Sequence, residues 1–291
     1  MKKIFKFPRR KTSSIDASDS ASIVTTASDI RENEMGKFHK AAWQGDMVKL
    51  EQLVKIVDIN QVDKQNRTAL HLACARGNVE VVRFLMEKKA QINLCDNQNK
   101  SALIKAVQEQ HDLCANILLE NKADPNLVDT DGNAALHLAS SIPLMSTVIL
   151  LVKHGADINI KNLEGVSPLT VAVQEDQVEV AEFLLKKGAN VNILDRHRRS
   201  PLMIAAGNGH FDMVRLLLKF RANVELKDSK GHSAEDYLLF FVLTCRHHRG
   251  IVLIMEHRRK HAALLVPPSP SKKRSKSLER SGFNLLFKKD I

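Results

Sequence analysis

Thr68 opens the run TALHLACA, and similar runs begin at Ser101, Ala134, Ser167, Ser200 and Ser233, always 33 residues apart. This fixed period constrains the chain more than any other feature. A unit of that size recurring in unbroken register must fold the same way each time and meet chiefly its own neighbours.

The unit can be read from its apolar positions. Leu70, Leu103, Leu136, Leu169 and Leu202 share one column, and Ala73, Ala106, Ala139, Ala172 and Ala205 fall one helical turn later. A small residue there lets a neighbouring helix approach closely. Gly77 and Gly209 suit a turn between helices. A second apolar run follows, Val81, Val82, Leu85 and Met86 in one copy and Met213, Val214, Leu217 and Leu218 in another, whose spacing makes one helical face. An extended A-x-I/V-N segment and an Asp-led turn close the unit at Asp63, Asp96, Asp129, Asp195 and Asp228. One such helix pair cannot bury its own face. The expected fold is therefore an all-α repeat solenoid, a helix-turn-helix stack with β-hairpin-like turns.

The expected organisation is a Ser-rich basic leader without periodicity over residues 1–34, a repeat domain over 35–263, and a basic tail without periodicity over 264–291, with both ends expected to be disordered. The repeat domain should hold an N-terminal cap (GKFHKAAWQGD onward), five complete repeats and an irregular C-terminal cap. Pro143 replaces the inter-helix glycine in the fourth unit and should alter that loop without breaking the fold. In the seventh unit, YLLFFVLTC is apolar all round. It suits either a capping helix folded onto the sixth repeat or an exposed apolar patch.

Apolar residues make up 44% of the chain and aromatics only 4%, as fits layers of Leu, Val and Ala. The formal charge of +11 sits at the ends: residues 1–11 carry +6, residues 246–291 carry +9, and the stretch between carries −4. The basicity is thus no sign of a nucleic-acid-binding repeat surface. No run is long enough for a signal peptide or a membrane span, and four scattered cysteines fit a reducing compartment. Cys74 and Cys114 read as structural thiols.

Catalysis finds no support. No phosphate-cradling glycine loop appears, and no nucleophile is spaced to meet a base. Cys245, His247, His248, His257 and His261 are the only metal-like cluster, but flanking arginines oppose a cation. No enzyme activity, cofactor, metal or small-molecule substrate is expected.

The period and its T-P-L-H-x-A-like core resemble the ankyrin repeat. The opening MKKIF, GKFHKAAWQGD, NRTALHLACARGN, NKSALIKAVQEQ, CANILLENKADPNLVD and the AEDY of Ala234 to Tyr237 further resemble the POTE-type mammalian ankyrin-repeat proteins, in a short form without their long coiled coil. The resemblance implies a non-enzymatic protein. It implies that His71 and His137 bridge the backbones of neighbouring repeats. It also implies that partners bind along a concave side, where turns and first-helix ends line up with side chains that add little to the stack. The turn candidates are Lys64, Gln65, Arg67, Asn97, Gln98, Lys100, Asp131, Asn133, Leu163, Glu164, Val166, Arg196, His197 and Arg199. The helix-end candidates are Arg76, Glu109 and Glu175. Leu163 and Val166 read as exposed, and the turn Arg196 to Arg199 as strongly basic.

The expected function is an intracellular protein–protein interaction scaffold, acting as a monomer in cytoplasm or nucleus and not secreted. The alternative is an adaptor whose basic ends tether it to nucleic acid or an anionic membrane surface. Lys272, Lys273, Arg274 and Lys276 resemble a nuclear-localisation run, and Ser269, Ser275 and Ser277 could accept phosphate beside them.

Overall fold

A computed structural model describes residues 35–245, with side chains to residue 242. The expectations for residues 1–34 and for the tail, its localisation run and its phosphate acceptors lie outside the described residues. So do those for residues 246–263 and their four histidines.

Among the described residues, twelve helices form six antiparallel pairs: α1 (Lys37–Gln44) with α2 (Met47–Leu53), α3 (Ala69–Arg76) with α4 (Val79–Glu87), α5 (Ala102–Gln108) with α6 (Asp112–Glu120), α7 (Ala135–Ser140) with α8 (Met145–Lys153), α9 (Pro168–Gln174) with α10 (Val178–Lys186), and α11 (Pro201–Asn208) with α12 (Phe211–Lys219). A final helix, α13 (Ala234–Cys245), lies against α11. First helices touch first helices and second helices touch second helices, so two helical layers run side by side. The described residues hold isolated bridges at Cys95–Ser101 and Val128–Ala134 but no extended sheet.

Local chemistry starts and stops each helix. The hydroxyls of Thr68, Ser101, Ser167 and Ser200 accept from the backbone N–H three residues on, and Pro168 and Pro201 follow two of these caps. Ala134 has no hydroxyl, and there the His137 ring accepts the Ala134 N–H at 3.1 Å. Gly77 and Gly209 close α3 and α11 at φ 77° and 74°. At Pro143 the chain turns through Ile142 and α8 resumes on the far side, so the loop changes and the stack does not.

The core runs through every pair. The Leu70 column is at most 2% exposed and the Ala73 column is fully buried. Asparagines stitch the extended links together. Oδ1 of Asn60, Asn93, Asn126, Asn159 and Asn192 accepts the backbone N–H of Gln91, Asp124, Asp157, Asn190 and Asn223, at 2.8–3.0 Å.

Of the two readings of YLLFFVLTC, helix α13 shows an apolar side packed on the sixth repeat and an apolar side left exposed. Ser233 and Asp236 cap it reciprocally. Leu238 and Val242 are buried, and the Phe241 ring meets Phe211 edge-on with centroids 6.0 Å apart. Glycines leave room for it: a Cβ on Gly207 would meet the Tyr237 ring at 2.9 Å, and one on Gly209 the Phe241 ring at 2.1 Å. The helix thus folds onto the sixth repeat, while Leu239 and Phe240 stay 45% and 47% exposed on its outer side.

Candidate functional site

Each of the six turns is built by one side chain. Oδ1 of Asp63 accepts the backbone N–H groups of Gln65 and Arg67, both at 2.9 Å. Asp96, Asp129, Asn162, Asp195 and Asp228 repeat the pattern two and four residues on. Two fixed N–H donors per oxygen hold the turn in one shape.

These acids are buried, so their remaining charge needs a partner. Arg67 supplies it to Asp63 through Nε and Nη2 at 2.8 Å, and Arg199 Nε supplies it to Asp195 at the same distance. Lys105, from inside α5, reaches Asp96 at 2.8 Å with both side chains buried. Burial works to raise the Asp96 pKa, but the Lys105 ammonium and the N–H groups of Lys100 and Gln98 outweigh it and hold the carboxyl below its ordinary range. Tyr237 donates its hydroxyl to Asp228 at 2.9 Å; burial and that bond push the phenol up to about 12.

The turn tips then join one another. The backbone N–H of Asn97, Thr130, Leu163, Arg196 and Ser229 donates to the carbonyl of Gln65, Gln98, Asp131, Glu164 and His197 in the preceding turn, at 2.9–3.1 Å. The tips form a ladder of fixed spacing whose side chains stand in two columns. One reads Lys64, Asn97, Thr130, Leu163, Arg196, Ser229; the other reads Gln65, Gln98, Asp131, Glu164, His197, Lys230.

The histidines behave as the resemblance implied. His71 Nε2 lies 3.1 Å from the Lys100 carbonyl, and His137 Nε2 lies 3.0 Å from that of Val166. His39 Nε2 does the same at the N-terminal pair, 3.0 Å from the Gln61 carbonyl, although the T-P-L residues are missing there.

Several candidates are not the loosely held surface positions expected of them. Arg67 is 6% and Lys100 7% exposed, and both serve the turns, Arg67 through Asp63 and Lys100 through its bond to Gln108 at 2.9 Å. Arg199 is half-buried against Asp195. Val166 is half-buried, and Asn133 accepts from the Asn162 amide at 2.9 Å. Glu109 is half-buried and bonded by Gln108 at 3.0 Å, continuing the chain from Lys100. Arg76 is exposed, with its guanidinium 5.2 Å from the centre of the Trp43 ring.

Lys64, Gln65, Asn97, Leu163, Glu175, Arg196 and His197 are exposed, while Gln98, Asp131 and Glu164 are partly so. Leu163 is 74% exposed, and Arg196 forms an open ion pair with Glu164 at 2.6 Å. The sequence reading missed Lys105. The signal was present, because its column is otherwise Leu72, Leu138, Val171 and Ile204. No cluster among the described residues could hold a metal. Burial raises the thiol pKa of Cys74 well above its usual value and that of Cys114 to about 11, so both stay protonated and inert.

Profiles of ankyrin repeats match residues 38–129, 114–195 and 184–238. The chain belongs to the ankyrin-repeat family. Ankyrin repeat domain-containing protein 7 of Homo sapiens is 41% identical over 93 residues, which are 31% of this chain and 33% of that protein. The match thus spans about a third of the relative's length. Among solved structures, the ankyrin repeat domain of human ASB11 covers 81% of this chain and all of its own at TM-score 0.65 and 24% identity, a likeness of fold. The ankyrin repeat domain of Bcl-3, a member of the IkappaB protein family, covers 76% of this chain and 98% of its own at TM-score 0.68 and 28% identity. Ankyrin repeats are in general protein–protein interaction modules.

Proposed function

We propose that this chain is a non-enzymatic scaffold that binds other proteins through the concave side of its ankyrin stack, along the turn tips and the ends of the first helices. The observation that supports this reading is the tip ladder. Its backbone is held at every rung, while Lys64, Asn97, Leu163 and His197 stand exposed upon it. A rigid frame carrying exposed side chains of changing chemistry loses little entropy on binding.

The test is proximity labelling with the full chain in cells, beside a variant carrying Lys64→Ala, Asn97→Ala, Leu163→Asn and Glu175→Ala. These side chains are exposed, so thermal unfolding should be unchanged. Loss of the recovered partners supports the proposal; retention of all of them overturns it. Arg67, Lys100 and Arg199 are unsuitable for this purpose, because removing them would disturb the turns themselves.

The two basic ends support a second reading, an adaptor tethered to nucleic acid or an anionic membrane, in cytoplasm, nucleus or both. Deleting residues 1–11 and 264–291 should then change where the protein is retained, and unchanged localisation would reject it. We propose a monomer, testable by sedimentation equilibrium. The kinship with POTE-type proteins rests on the sequence runs quoted above, whereas the family profiles support the ankyrin assignment as such.

A further inference from the structure

The six turns share one position where the backbone takes a left-handed conformation: Asn66, Asn99, Gly132, Gly165, Arg198 and Gly231, with φ between 55° and 84°. Gly and Asn tolerate this region and are the expected occupants. Arg198, at φ 59°, is neither. Lys89, Lys122 and Arg221 are also left-handed, but each follows a helix end, where a cation meets the negative pole of the helix dipole. Arg198 stands three residues before α11, near the positive pole, and has no such compensation.

Its surroundings are basic on one side only. His197 and Lys230 are exposed on the same and the following tip, and neither Arg198 nor Lys230 has an ion-pair partner among the described residues. On the preceding tip stand Glu164, already paired with Arg196, and the exposed Leu163. The ridge therefore passes from acidic through apolar to basic within three rungs.

This deepens the proposed binding edge and rests on it. We infer that the fourth to sixth tips dock an acidic protein segment that carries an apolar side chain, with its carboxylates against Arg198 and Lys230 and its apolar group on Leu163. A nucleic acid fits less well. Its continuous charge would run into Asp131 and Glu164, and no Phe, Tyr or Trp stands on the described tips to stack a base.

The test is fluorescence anisotropy with the full chain and a labelled Asp/Glu-rich dodecapeptide bearing a central Leu-Phe. Three controls accompany it: a peptide with Lys at every acidic position, an acidic peptide without the apolar pair, and an oligonucleotide of equal charge. The chain's ends are basic, so the readout is the difference between variants. Arg198→Asn with Lys230→Asn should weaken the acidic peptide about fivefold or more, from two exposed charge contacts. Arg198→Asn should not lower the melting temperature, because Asn suits the backbone better. Leu163→Asn should remove the preference for the Leu-Phe peptide over its apolar-free copy. Glu164→Gln should tighten binding about twofold by freeing Arg196, a gain that misfolding cannot mimic. The inference is overturned if wild-type chain does not prefer the acidic peptide over the basic one, if the Arg198 and Lys230 variant binds equally well, or if the oligonucleotide binds as tightly with the same losses. Any of these leaves the broader edge standing if the cellular variant still loses its partners.

Discussion

Acid should destabilise this stack through His71. The ring is 1% exposed and wedged between two repeats, with Nε2 3.1 Å from the Lys100 carbonyl and Nδ1 3.1 Å from the Thr68 N–H. One nitrogen donates and the other accepts, so the ring must be neutral. Burial, assisted by the Lys105 charge and opposed by the Asp96 carboxylate, lowers its pKa to about 4. The unfolded chain holds the same proton with a pKa near 6.5. It therefore binds protons more readily than the folded one, and stability falls as pH drops through 6.5 and continues falling to about 4. At about 1.36 kcal/mol per pH unit, that gap corresponds to roughly 3 kcal/mol. His39 and His137 are lowered too, mainly by burial, and act in the same direction. The assay is urea unfolding by far-UV circular dichroism between pH 8 and 4.5, since the single tryptophan, Trp43, reports only on the first pairs. His71→Gln is the comparison. A glutamine at this helical position can accept the Thr68 N–H as a capping box does and still donate to the Lys100 carbonyl, without titrating. It should be about 1 kcal/mol weaker at pH 8 and should overtake wild type at about pH 5.8, where the lost histidine contribution reaches that size. If the two stability curves run parallel across this range, the reasoning is wrong.

Three further outcomes follow from the packing. Arg67→Ala should cost about 3 kcal/mol by stranding the buried Asp63 carboxylate. Adding Asp63→Asn and replacing Arg67 by Val copies the Asn162–Val166 pair of the fifth repeat and should restore all but about 1 kcal/mol in the same urea assay. Gly209→Ala should cost about 2–3 kcal/mol, from a strained φ and a Cβ 2.1 Å from the Phe241 ring. Phe241→Ala should recover part of that loss, and purely additive effects would show that α13 does not press on this glycine. Asn159→Ala should cost about 0.5–1 kcal/mol through the lost bond to the Asn190 N–H, with faster exchange of that amide as the local check.

The helix pairs were legible because their columns answer to packing alone: every Leu and Ala at those positions does the same thing. The packing of α13 was only half legible, since an apolar helix reads the same whether it lies on glycines or faces solvent. The turn candidates were harder still. Arg67 and Lys64 are both cations in one turn, and nothing in their local sequence distinguishes the one folded onto Asp63 from the one in water. Comparison between repeats distinguishes them only in part. At Asp63 and Asp195 an arginine stands four residues after the turn acid, and at Asn162, which has no charge to balance, that position is Val166. The pattern is not general: Asp129 is followed by Asn133, and Asp96 takes its counter-charge from Lys105 in α5 rather than from Lys100.

The same comparison separates structural from functional departures along the stack. Lys105 breaks an apolar column but meets Asp96, so its charge is explained within the fold. Gln110 and Asp176 replace the glycine that Gly77 and Gly209 supply between helices, and each keeps the left-handed backbone that the turn needs. Leu163 breaks a mostly polar column and is covered by nothing the structure describes. Arg198 occupies a position suited to Gly or Asn, near the wrong pole of a helix, with no counter-charge among the described residues. A departure that the fold compensates belongs to the fold. One that costs stability and is not compensated calls for something outside the fold to interact with it, and the two such residues found here stand on neighbouring rungs of the same ladder.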